Sequence, residues 1–60
     1  MNYRVGVVTK LGNIVSLSST DKGEIDTFIL EIGEKEGLKA YRIINADTKE
    51  ILETENGVKN

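Results

Sequence analysis

Sixty residues carrying no His, Cys, Trp or Pro, with eight basic and ten acidic side chains and a net charge of −2, allow one small domain and exclude a disulfide framework and any thiolate or imidazole metal site. A chain this short buries only about 60% of the surface its unfolded form exposes, so marginal stability is expected. The longest weakly polar run, Leu11 to Ser19, falls far below the ~20 apolar residues of a membrane span, and a cytoplasmic protein without membrane association is expected. Met1 leads directly into strand-like sequence with no signal-peptide pattern, which reads as a complete small protein.

Tyr3 to Thr9 and Asn13 to Ser19 have the β-branched content of strands, separated by Lys10-Leu11-Gly12. With Gly12 left-handed in a three-residue loop, Thr9 faces Asn13, Val7 faces Val15, Val5 faces Leu17 and Tyr3 faces Ser19. That register gathers Tyr3, Val5, Val7, Val15 and Leu17 on one face. A one-residue slip would put Leu17 among the polar residues. Gly6, inside the first strand, weakens it unless a bulge, a backbone or a ligand sits there.

Ser18-Ser19-Thr20-Asp21 is a cluster of helix-capping residues, with Glu24 three positions after Asp21 as in a capping box. Ile25, Phe28, Ile29 and Ile32 follow at i, i+3, i+4 and i+7, a single apolar stripe, and Gly33 and Gly37 both offer stops. The spacing predicts a helix from Asp21 that ends between Ile32 and Glu36. Six acidic residues (Asp21, Glu24, Asp26, Glu31, Glu34, Glu36) against Lys22 and Lys35 give this segment −4. The remainder, with Arg4, Lys10, Lys39, Arg42, Lys49 and Lys59 against Asp47, Glu50, Glu53 and Glu55, carries +2.

Leu38 to Asn45 and Glu50 to Thr54 read as a second hairpin around Ala46-Asp47-Thr48-Lys49. With Asn45 opposite Glu50, Ile43 pairs Leu52, Tyr41 pairs Thr54 and Arg42 lies opposite Glu53 in a solvent-facing ion pair. Ile43-Ile44 and Ile51-Leu52 offer apolar residues to both faces, so this register is less strongly specified. The expected core is Val5, Val7, Leu17, Phe28, Ile29, Ile32, Ile43 and Leu52, in a single domain over residues 1–55 with a frayed tail at 56–60.

The hairpin, helix, hairpin order, the opening Met1-Asn2-Tyr3-Arg4-Val5 and the loop Asp47-Thr48-Lys49 together resemble the β-grasp architecture of the immunoglobulin-binding domains of protein G. The resemblance implies an α+β, ββαββ fold whose four-stranded mixed sheet has order 2-1-4-3, with strands 1 and 4 parallel at its centre and strands 2 and 3 at its edges. The tryptophan of that family's third strand has no counterpart here, and a likeness of fold does not carry antibody binding with it.

Catalysis is left with carboxylates, lysines, tyrosines and hydroxyls, and no enzyme activity, cofactor or metal is expected. Asp26, Glu31 and Glu34 read as a solvated helix face, Ser18-Ser19-Thr20 as caps, and Tyr3 and Tyr41 as core-face residues more than as stacking platforms for bases. Asp47-Thr48-Lys49 lacks the acidic spacing of a calcium loop. The strongest functional signal is the second strand. Asn13, Ile14, Val15, Ser16, Leu17 and Ser18 contain no charge and no Pro, the devices that normally protect a sheet edge. The expected function is therefore a non-enzymatic protein–protein interaction module, joining a partner protein or a second copy through this edge. The alternative is a nucleic-acid-associated accessory protein using Arg4, Lys39 and Arg42 on a weakly basic sheet.

Overall fold

The computed structural model describes residues 1–56. The strands are β1 (Tyr3–Thr9), β2 (Ile14–Ser19), β3 (Leu38–Asn45) and β4 (Ile51–Asn56), and the helix α1 (Lys22–Lys35) lies between β2 and β3. The expected α+β class holds: one four-stranded sheet carries one helix on one face. Residue 56 belongs to β4, and the rest of the expected tail, 57–60, lies outside the described residues.

The strand order departs from the expected one. It is β2-β1-β3-β4, with every neighbouring pair antiparallel, in place of the mixed 2-1-4-3 sheet implied by the β-grasp resemblance. β3 takes the central place beside β1, and β4 moves to the margin. The physical reason is legible in the two sequences: β3 brings Leu38, Tyr41 and Ile43 to the helix face, whereas β4 and its approach carry Glu50, Glu53 and Glu55. Carboxylates are tolerated at an edge and expelled from a centre.

The first hairpin takes the expected register without a shift. Gly12 is left-handed at φ 89°, its N–H donates to Thr9 O at 3.0 Å, and Thr9 N–H donates to Asn13 O at 2.9 Å. Thr9 is fully buried, with its hydroxyl accepting from Asn13 N–H at 3.1 Å. Gly6 pairs regularly with Ser16 and Arg42; the bulge between β1 and β3 lies instead at Val8/Thr9, with Lys39 as the extra residue of β3.

Asp21 caps α1 by accepting from Gly23 N–H at 2.8 Å. At the other end Glu36 N–H donates to Ile32 O and Gly37 N–H to Gly33 O, with Gly37 at φ 80°. The left-handed backbone at Gly37 is what this turn needs glycine for; a side chain there would also press on the flexible Lys10 side chain at 2.9 Å. The helix packs over β2, β1 and β3 and reaches β4 through the Lys22 side chain, without packing on that strand. Val5, Val7, Ile25 and Ile43 are fully buried, and Leu17, Phe28, Ile29 and Ile32 are half-buried around them.

Leu52 does not join that core. It is the extra residue of a second bulge, where the register shifts between Ile44↔Ile51 and Ile43↔Glu53, and it is 39% exposed. The turn follows the expected pairing, with Asn45 N–H donating to Glu50 O at 2.8 Å and Lys49 left-handed at φ 66°. Beyond the bulge every pair is displaced by one: Tyr41 faces Glu55 and Arg42 faces Thr54. The expected Arg42–Glu53 ion pair is therefore absent, because the bulge carries Glu53 to the helix side. No helix among the described residues is long and apolar enough to cross a membrane.

Candidate functional site

β2 is an edge of the sheet, as expected, with β1 on its inner side and, among the described residues, no strand on its outer side. The direction of its backbone groups follows from one bond. Thr9 and Asn13 form a bonded pair, and bonded and non-bonded pairs alternate along an antiparallel ladder. Asn13, Val15, Leu17 and Ser19 therefore bond inward to β1. The N–H and C=O groups of Ile14, Ser16 and Ser18 aim away from the sheet.

The side chains divide the other way. Val15 and Leu17 are half-buried under α1, whereas Ile14, Ser16 and Ser18 are exposed on the face without a helix, Ile14 to 79%. Asn13, at the start of the edge, donates from its amide to Glu36 at 2.8 Å and ties the hairpin to the end of α1. All six residues of the candidate edge are thus contiguous. They present an uncharged backbone template about 17–20 Å long at ordinary strand rise.

The opposite edge is built differently. Glu53 accepts from the Tyr41 hydroxyl at 2.8 Å and lies 3.6 Å from Lys22 Nζ, which also binds Asp26 at 2.8 Å. The bond to Glu53, assisted by burial and by the nearby carboxylates, pushes the Tyr41 hydroxyl up to about 12. Hydrogen bonding to Asp26 likewise raises the Lys22 ammonium above its ordinary value. At the β3–β4 turn, Asn2 donates to Asp47 from its side chain at 2.9 Å and its backbone at 3.3 Å, and these bonds hold the Asp47 carboxyl below its ordinary value. Asn2 O in turn accepts from Ala46 N–H at 2.8 Å, so the turn is tied to the chain's first residues.

The sheet face without a helix is mostly apolar. Val8, Ile14, Ala40 and Ile44 surround Gly6, and an open depression of about 550 Å³ lies over them. A side chain at Gly6 would meet nothing within 4 Å among the described residues. Arg4 and Arg42 rise from the same face, diagonal to each other across β1 and β3, and among the described residues neither lies within salt-bridge distance of a carboxylate. Lys39, at its bulge, breaks the alternation that would have joined it to them.

Comparison with protein-family models, curated proteins and solved structures finds no match. The site's meaning rests on its own geometry. Tyr3 and Tyr41 lie on the helix side, away from both arginines. Among the described residues no group of three His, Cys, Asp or Glu side chains is placed to hold a metal ion. The exposed apolar face is the feature sequence reasoning missed. The sequence registers already put Val8 opposite Ile14, and Ile44 opposite Ile51, on the outer face; the strand order, with β3 beside β1, is what joins these pairs into one patch.

Proposed function

We propose that this protein is a non-enzymatic protein-interaction module that receives an extended strand along β2. The observation that carries the reading is the asymmetry of the two sheet edges. β2 is regular, uncharged and unbulged, with three residues directing backbone donors and acceptors outward. β4 carries glutamates and a bulge. An incoming strand gains main-chain hydrogen bonds along β2 and meets no charge there, which is the physical basis of recognition by strand addition.

The test is amide hydrogen exchange with a strand-shaped probe, a synthetic peptide of alternating Val and Thr. Its addition should slow exchange at Ile14, Ser16 and Ser18 while leaving β4 unchanged. Equal protection of both edges, or none at β2, would contradict the reading.

A second reading, association with nucleic acid through Arg4, Lys39 and Arg42, draws support from the two arginines that share the open face. It has less behind it. Lys39 stands apart at its bulge, and the tyrosines that could stack on bases lie on the helix side.

A further inference from the structure

We infer that the strand received at β2 is β2 of a second copy of this chain, paired antiparallel with Ser16 on the two-fold axis. The inference rests on the reading of β2 as a strand-accepting edge and supplies its occupant. With Ser16 on the axis, Ile14 faces Ser18 of the second copy, and Ser16 faces its own equivalent. These are the residues whose backbone groups point outward, so each opposed pair exchanges two hydrogen bonds.

Side chains agree with the same register. On the helix side Val15 meets Leu17 of the second copy, bringing two half-buried apolar residues together. On the other side only Ser and Ile meet, and β2 holds no charge to oppose itself. Other registers do worse. An axis at Leu17 sets Val15 against Ser19 and Ile14 against Thr20, beyond the strand; an axis at Ile14 runs Ser16 into the Gly12 turn.

The helices do not obstruct this pairing. Each is centred near β1, so across the dimer they stand about three strand spacings, roughly 14 Å, apart, more than the 8–10 Å of packed helices. Two four-stranded sheets become one of eight strands, both helices on one side and both apolar depressions on the other. Growth stops there. A contact of β2 with itself is closed by its two-fold axis, and the outer edges are then the bulged, glutamate-bearing β4 strands. An interface of a single strand pair is small, which places association in a weak range, roughly 10 µM to 1 mM.

The chain has no cysteine, so introduced thiols report the register without background. Opposed residues in a strand pair lie about 5.5 Å apart at Cα, within disulfide reach, whereas two Ile14 residues would lie about 13 Å apart along the strands. Under mild oxidation Ser16→Cys should form a covalent dimer at least about tenfold faster than Ile14→Cys or Ser18→Cys alone. An equimolar mixture of those two should cross-link to each other. Cross-linking at position 16 no faster than at Thr54→Cys on β4, or equal rates at all three β2 positions, would overturn the inference. If the thiol variants fail in this way while the Val-Thr peptide still protects Ile14, Ser16 and Ser18, the strand-accepting edge stands and only its occupant is wrong.

Discussion

The two edges of this sheet solve the same problem in opposite ways. β2 is the regular partner of a tight hairpin, sits beneath the helix and carries no charge. β4 lies outside the packing footprint of the helix, is bent by a bulge at Leu52 and bears Glu53 and Glu55 toward the helix side. Unpaired backbone is a hazard at any edge, and a chain that guards one and leaves the other bare tolerates pairing in one direction only. Protection at β4 is also structural. Glu53 is engaged by Tyr41 and lies near Lys22, so the charge that blunts the edge is held in place by the helix and by β3.

The comparison can be broken most severely from beneath. Ile25→Ala removes the fully buried helix residue of the core and should destabilise the fold by about 2–5 kcal/mol, enough to unfold so small a domain, whereas Leu52→Ala at the bulge should cost less than about 1 kcal/mol. Urea midpoints for the two variants check this; similar losses would show that β4 shares the core equally. Next in size is removal of the guard: a triple variant with Glu50, Glu53 and Glu55 changed to Gln should form species larger than a dimer, visible by light scattering, because the second edge no longer repels.

A smaller effect concerns what holds Glu53. The Tyr41 hydroxyl keeps its proton up to about 12 in the folded chain against an ordinary value of 10.0. The folded state therefore binds that proton more tightly, and the contribution is complete below pH 10 and lost as pH rises toward 12. Urea midpoints measured from pH 8 upward should fall more steeply above pH 10 for the wild type than for Tyr41→Phe. Parallel slopes would mean that the bond to Glu53 does not stabilise the fold. The smallest expected effect is that of salt. The Asp21 to Glu36 segments, the helix with its two caps and each of net −4, repel across the proposed dimer, so raising salt from about 10 mM to about 1 M should strengthen association a few-fold, the reverse of the weakening expected for nucleic acid. Titrations at the two salt levels decide the sign.

The first hairpin was fully legible because its alternation admits one solution: only one register places Val5, Val7, Val15 and Leu17 together, and Gly12 marks the turn. The helix was equally clear from Asp21 and the Ile25, Phe28, Ile29, Ile32 stripe. The second hairpin was not. Ile43-Ile44 and Ile51-Leu52 satisfy either face, and a bulge cannot be located by counting when both candidate residues are apolar. The strand order failed for a different reason: hairpin, helix, hairpin chains have two places for β3, and the family likeness supplied one of them. The carboxylates of β4 pointed to the other. The candidate edge at residues 13–18 survived this change because β2 is marginal in both orders. The apolar open face needed the true order before its members could be assembled.

The most direct test of an open β2 and a guarded β4 is sedimentation equilibrium of the wild type, Ser16→Lys and Thr54→Lys over roughly 10 µM to 1 mM, the range set by so small an interface. Both substitutions add one lysine on the uncovered face of an edge strand, and each should change stability by no more than about 0.5 kcal/mol. The account predicts a monomer–dimer equilibrium for the wild type and for Thr54→Lys, and at least about tenfold weaker association for Ser16→Lys. A wild type that stays monomeric throughout, or a dimer that Thr54→Lys weakens as much as Ser16→Lys does, would contradict it.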